Sequence, residues 1–463
     1  MTSTSAPNPS EFVRIPYGVR DQHVYVAGKT RHGKSTFIHH CALDDIAHKS
    51  GVCVIDGKGN LFNDLILPFI PKHRLNDVLY LDIDTPIPLD FMSYDSEREK
   101  EKLIGELKFL LLKTVETQHI PVLGSNLTDV LYTLFNFNEN PNVPTDRKAT
   151  FLDIHDFFGN ETRRDEIRKF LTDPDLIRRW EKDMPPDADR KRIISRMTTF
   201  VRSQSLRKVF GDPNPRIRIA DIIERRKVLL IKAGPPDEIQ TMYAALILSK
   251  IRQAIYRRAA LKKDKIIRFY LYCDEFQEYQ TSDFDKMLSL AGGLGLCLML
   301  ANQYVNQIDA PIRHSIFGNV STYVIFRLQP ADAALFKGEI PSMVDEWIWK
   351  RNRDTDEMGW VRKPIPFDTD QLTRLPRGKA LYRAADGTAC FIRTPPPPRR
   401  LTQTNARIAE YIKNRTLRDY GFSKAEGKLS SEDTCSDDIQ PMQGERKPIP
   451  RHRDEAQSSA GHR

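Results

Sequence analysis

No two cysteines in this chain form a C-x-x-C pair. The six present, Cys41, Cys53, Cys273, Cys297, Cys390 and Cys435, are scattered over 463 residues. Four lie in or beside strongly apolar segments, where cysteine behaves as a small hydrophobe. The pattern gives no metal site or disulfide framework and suits a reducing cytosol, so a cytoplasmic protein is expected. No apolar run approaches the roughly 18 residues that a membrane-crossing helix needs. Residues 1–10 are rich in Ser, Thr and Pro and lack an apolar stretch, so no secretory signal is expected. None of the eleven histidines has metal-ligand spacing. The adjacent His39 and His40 read as structural. No internal repeat is visible. The net charge of +9 permits a nucleic-acid partner without demanding one.

What is present begins at residue 28. Gly28-Lys29-Thr30-Arg31-His32-Gly33-Lys34-Ser35 is a complete G-x-x-x-x-G-K-[ST] loop. Such a loop curls its backbone so that successive N–H groups point at phosphate oxygens. Lys34 would reach the β- and γ-phosphates, and the Ser35 hydroxyl would sit on Mg²⁺. His23-Val24-Tyr25-Val26-Ala27 reads as the preceding strand. Ser35 to Leu43, with Thr36 in its first turn, reads as the following helix, whose positive end faces the same charge. ATP with Mg²⁺ is the expected ligand, with residues 28–36 holding it. The loop starts so early that no N-terminal membrane anchor is expected before it.

Residues 20–90 alternate strand and helix: Val52-Cys53-Val54-Ile55 and Val78-Leu79-Tyr80-Leu81 are short apolar runs in the βαβ rhythm of a parallel sheet. From 91 to about 210 helical spacing takes over, with Leu103, Leu107, Leu110, Leu111 and Val115, then Leu127, Val130, Leu131, Leu134 and Phe135. Pro174 fits a helix's first turn. Ile193, Met197, Phe200 and Val201 mark a later helix. The alternation resumes with strands at Val228–Ile231, Ile266–Cys273, Leu294–Ala301 and Ser321–Phe326, and a long helix over Met242–Arg258. A hairpin is expected around Asp386-Gly387, then a Pro395–Pro398 break and a helix over Thr404–Leu417. The expected organisation is a flexible segment (1–18), an α/β core in two pieces (19–90 and 211–400), a mostly helical insertion (91–210), a C-terminal helix (401–422) and a disordered polar tail (423–463).

A second motif closes the strand Ile267–Cys273 with Asp274-Glu275. Beside a phosphate loop, one carboxylate has the metal to serve and the other the water: Asp274 would hold Mg²⁺ and Glu275 would polarise the attacking water. The plainer reading is an acidic cap on a buried strand. A third element, Leu296–Ala301, ends in Asn302-Gln303. Gln303 would sense phosphate or position water; otherwise it is a solvated loop amide.

These segments, together with Asp56-Gly57-Lys58-Gly59, Leu271–Phe276 and Phe317–Arg327, resemble the HerA/FtsK superfamily. The nearest branch is that of the TraG/TraD-like conjugative coupling ATPases of type IV secretion systems, which carry a similar helical insertion. The resemblance spans roughly residues 20–400. It implies a RecA-like P-loop NTPase core with a mostly parallel sheet, assembly as a ring (typically a hexamer), and ATP-driven movement of DNA. Relaxase, nuclease or secretion components are the partners it implies; the form of the DNA is left open.

Two departures stand out. Coupling proteins usually carry a membrane anchor, and none is visible here. The family also often places an arginine between the Asp-Glu motif and the Gln303 strand, to reach a neighbouring subunit's nucleotide. Here that stretch reads Ser289-Leu290-Ala291-Gly292-Gly293-Leu294-Gly295. Arg313 and Arg327 stand as substitutes, each equally readable as an ordinary surface arginine. Basic clusters at Arg252, Arg257, Arg258, Lys262, Lys263 and Lys265, and at Lys191, Arg192, Arg196, Arg202, Arg207 and Lys208, would meet phosphates or be solvated helix faces. The leading expectation is a DNA-translocating ATPase. Its rivals are a nucleotide-dependent switch or scaffold in a mobile-element or anti-phage assembly, and a secretion ATPase that moves protein.

Overall fold

A computed structural model describes residue 15 and residues 17–58, 61–112, 120–234, 238–278, 284–351, 358–396 and 402–421. Gly59, Val115, Pro397, Pro398, Cys435, residues 1–14 and the tail 423–463 lie outside the described residues.

Among the described residues, eleven strands form one sheet: β1 (Val24–Ala27), β2 (Gly51–Asp56), β3 (Val78–Asp82), β4 (Val228–Lys232), β5 (Phe269–Asp274), β6 (Leu296–Asn302), β7 (Thr322–Ile325), β8 (Met343–Arg351), β9 (Met358–Pro366), β10 (Lys379–Arg383) and β11 (Ala389–Arg393). Their spatial order is β3-β4-β2-β5-β6-β1-β7-β10-β11-β8-β9. The first seven in that order run parallel. β10 turns antiparallel on β7 and pairs with β11 across the Asp386-Gly387 turn. Strands β1 to β7 are apolar along their length, with polar residues confined to their ends, because both faces of this parallel region are covered. Tyr25 and Ala27 face one core cluster, Val24 and Val26 the other.

The helices are α1 (Lys34–Ala47), then α2 to α8 between β3 and β4 (Glu97–Leu112, Ile120–Glu139, Asp153–Gly159, Glu161–Lys169, Pro174–Lys182, Asp187–Arg202 and Gln204–Phe210). After these come α9 (Ile219–Glu224), α10 (Glu238–Arg257), α11 (Phe284–Leu290), α12 (Ala310–Asn319), α13 (Pro330–Ala334), α14 (Asp370–Thr373) and α15 (Gln403–Tyr420). Pro174 opens α6, with the Asp173 carboxylate capping the amides of Asp175 and Leu176. Phe151, Phe200 and Phe210 pack edge-on or tilted, and the inserted helices share one apolar cluster with the sheet.

On the other face, α15 covers the edge strand β3. Arg415 donates to the Asn76 and Val78 carbonyls, and Ile412 is fully buried, worth about 1.5–3 kcal/mol. An exposed strand edge invites foreign pairing, so this covering is protective.

The β8–β9 hairpin was not among the sequence expectations. Met343, Lys363, Pro364 and Pro366 are exposed while Val344 is buried. These described side chains, on strands at the sheet's far edge, lack the alternation that marks a half-buried strand.

Candidate active site

The phosphate loop leaves the C-terminal end of β1. β6 lies between β1 and the Asp-Glu strand β5, so the tips of three adjacent parallel strands deliver the loop, Gln303 and Asp274-Glu275 to one crevice. That end of an open parallel sheet is where ligands bind.

Local packing explains the loop. Gly28 and Gly33 have φ of 153° and 123°, values that side chains rarely tolerate. A Cβ on Gly28 would meet the Phe326 Cβ at 2.5 Å, and one on Gly33 the Phe326 Cε1 at 2.8 Å. Phe326, fully buried at the exit of β7, is therefore the floor of the loop. Sequence reasoning quoted it and gave it no role. The Gly28 and Lys29 amides donate to the Asn302 and Arg327 carbonyls at 3.3 and 2.7 Å. These two amides anchor the start of the loop to β6 and to the chain after β7. His32 is tied down as well, its carbonyl accepting from Gly378 N at 2.9 Å.

Lys34 is buried, and its ammonium donates to the Gly28 carbonyl at 2.5 Å. Burial pulls its pKa down to about 8, against the opposing pull of Glu275 and Asp274. The Ser35 hydroxyl donates to Asp274 Oδ2 at 3.2 Å. Burial, and then the charges of Glu275 and Asp56, push the Asp274 carboxyl up to about 6. A hydroxyl touching a buried carboxylate fits a hard divalent cation such as Mg²⁺. Among the described residues no group of three His, Cys, Asp or Glu could hold a metal. Such an ion would therefore complete its shell with substrate phosphates and water.

Glu275 has φ 52°, a left-handed conformation that is uncommon outside glycine and found at functional sites. Its carboxylate takes Lys58 Nζ on Oε1 at 2.5 Å and Gln277 Nε2 on Oε2 at 2.9 Å. Burial opposes ionisation, yet the Lys58 and Gln277 hydrogen bonds hold its pKa below the ordinary value. The Thr30 hydroxyl donates to Gln303 Oε1, placing that amide over the loop. Asn302, beside it, accepts from the Tyr25 hydroxyl at 2.6 Å.

Residues 268–364 match the sequence model of a family described as the TraM recognition site of TraD and TraG. That segment carries β5 to β8 and most of β9, including Asp274, Glu275 and Gln303. The fold is similar to the plasmid coupling protein TrwB in complex with ADP and Mg²⁺, at 13% identity and TM-score 0.57, covering 84% of this chain and 89% of that one. The unbound TrwB lacking its first 70 residues is similar at 13% identity and TM-score 0.56, covering 85% and 88%. VirB4 of Thermoanaerobacter pseudethanolicus follows at 12% and 0.50, covering 81% and 90%. The chain therefore shares its fold with these proteins, and the match to the TraD and TraG model is confined to residues 268–364. No curated protein matches it in sequence.

The packing bears on the missing arginine and on the basic clusters. Gly292 packs against the segment before β1: a Cβ there would lie 2.2 Å from the Asp21 carbonyl oxygen. A side chain at that position would require the backbone to shift. Arg327 is exposed, with its Nε donating to the Thr373 carbonyl at 2.9 Å, and Arg313 is half-buried on α12. The α10 cluster is largely spent inside the molecule. Arg252 pairs with Glu106 at 2.6 Å, Arg257 with Asp95 at 2.6 Å and with Glu99, and Arg258 with Glu224 at 3.0 Å. These contacts tie α10 to the inserted helices and to α9. Lys262, Lys263 and Lys265 remain exposed. In the second cluster Lys191, Arg192, Arg202, Arg207 and Lys208 are exposed and Arg196 is half-buried, with Arg192 paired to Asp189. No described helix is long and apolar enough to cross a membrane.

Proposed function

We propose that this chain is an ATP-hydrolysing coupling ATPase that moves DNA as an oligomeric ring in conjugative transfer. The observation that carries the reading is the convergence of Lys34, Ser35, Asp274, Glu275 and Gln303 at three neighbouring strand tips. Residues 28–36 cradle the nucleotide, with Lys34 leaving the Gly28 carbonyl for the β- and γ-phosphates. Ser35 and Asp274 hold Mg²⁺, which neutralises charge on the phosphates. Glu275 orients a water in line with the γ-phosphate and takes its proton, and Gln303 steadies that water or the phosphate. The family match supports a DNA-processing partner of the TraM kind, met on the exposed parts of residues 268–364. The exposed lysines and arginines of the inserted helices support sequence-independent contact with DNA phosphates. The site of action is the cytoplasm.

The test is ATP turnover with and without single- and double-stranded DNA, beside mass photometry of wild type and Glu275→Gln. DNA-stimulated turnover and an ATP-trapped ring are expected. Equal rates with and without DNA, and a monomer in every condition, would reject the motor. A switch or scaffold role is the second reading, and the absence of an arginine from Ser289 to Gly295 favours it.

A further inference from the structure

The sequence reading left Lys58 without a role, yet its side chain enters the site. It stands on a turn fixed from three sides. Asp56 accepts from Lys58 N at 3.0 Å and from Leu61 N at 2.5 Å. Gly57 N donates to the Asp274 carbonyl at 3.2 Å, and Ala233 N to that of Asp56 at 3.0 Å. The exits of β2, β4 and β5 are thereby stitched together beneath Lys58.

From this base the Lys58 ammonium reaches Glu275 at 2.5 Å, with the lysine a quarter exposed and the glutamate 3% exposed. With Gln277 on its second oxygen, the carboxylate has a donor on each side. A base so occupied must shed one donor before it can accept a proton from water. Lys58 is also close enough to Lys34 and Asp274 for its charge to be felt at both. Ser289 to Gly295 supplies no cation for a γ-phosphate.

We propose that Lys58 is a second phosphate-binding lysine: a nucleoside triphosphate draws its ammonium off Glu275 onto the γ-phosphate, freeing Glu275 for the attacking water. A γ-phosphate carries more negative charge than one carboxylate, and both would compete for the same ammonium. The exchange couples arrival of the third phosphate to release of the base.

This inference rests on the ATP-hydrolysing reading but is separable from it, because its readout is binding. ATP and ADP affinities with Mg²⁺ are measured by calorimetry for wild type, Glu275→Gln, Lys58→Met, Lys58→Arg and the Glu275→Gln/Lys58→Met double variant. Removing the competing carboxylate in Glu275→Gln is expected to tighten ATP several-fold and leave ADP within about twofold. Lys58→Met is expected to weaken ATP about tenfold relative to ADP, the loss of one charge-assisted contact. It should also erase the gain in the double variant, while Lys58→Arg restores part of it. Equal effects on ATP and ADP, no effect on either, or an undiminished turnover in Lys58→Met would overturn the proposal. If Lys58→Met melts well below wild type, Lys58→Gln replaces it in the same comparison. Wild type that binds ATP without hydrolysing it sinks the motor reading, and the ATP-to-ADP ratio then still decides on Lys58.

Discussion

His23 offers a quantitative check on the packing behind the phosphate loop. It immediately precedes β1 and is 1% exposed. Its Nδ1 accepts from the Leu298 amide at 3.2 Å, and its Nε2 lies 3.0 Å from the Leu288 carbonyl. The two contacts select the neutral tautomer with the proton on Nε2. A second proton on Nδ1 would face an N–H group and lose its solvation. Burial accordingly pulls the His23 pKa down from 6.5 to about 4. The sign follows: between these values the unfolded chain binds the proton and the folded chain does not, so stability falls as pH falls. Fully developed, that gap is about 3 kcal/mol, of which about 2 kcal/mol is expressed between pH 7 and pH 5. Urea unfolding of wild type and His23→Gln at both pH values is the assay. Glutamine can donate to Leu288 and accept from Leu298 without titrating. The wild type should lose about 2 kcal/mol more than the variant over that interval. Equal losses in both proteins would refute the account of His23 as a histidine pinned neutral.

Three further outcomes are expected. The Arg20 guanidinium donates to both Asp45 oxygens at 2.6 and 2.7 Å, with Tyr272 bonded to both partners. Asp45→Ala strands that buried charge and should cost about 3–5 kcal/mol in urea unfolding, whereas an Arg20→Met/Asp45→Leu double variant should recover most of it. Phe326→Ala removes the floor of the phosphate loop. It should destabilise by about 3–5 kcal/mol and weaken ATP and ADP alike in calorimetry. Ser35→Ala should leave the fold intact by circular dichroism while raising the Mg²⁺ concentration needed for half-maximal ATP binding.

Much of the sheet was legible because burial on both faces turns each parallel strand into a continuous apolar run. The loop was legible because glycine and lysine at fixed spacing have few other uses. What escaped the sequence were partnerships across long separations. Nothing in Phe326 announces that it lies under Gly28, nor in Lys58 that it meets Glu275, more than two hundred positions away. The basic run on α10 looked like a surface until Glu106, Asp95 and Glu99, set on α2 and the loop before it, were seen to neutralise it. The β8–β9 hairpin escaped for another reason: of its described side chains, Met343, Lys363, Pro364 and Pro366 are exposed and give no alternating buried face.

Gly292 and Gly293 are neighbours with unequal prospects. A side chain on Gly292 would collide with the Asp21 carbonyl, whereas one on Gly293 would meet nothing within 4 Å. The loop can therefore accept a long cationic side chain at only one of the pair. An ancestor or a designer wishing to install a trans-acting guanidinium would find position 293 open and position 292 closed. A single backbone oxygen thus separates two adjacent glycines into one closed position and one open one.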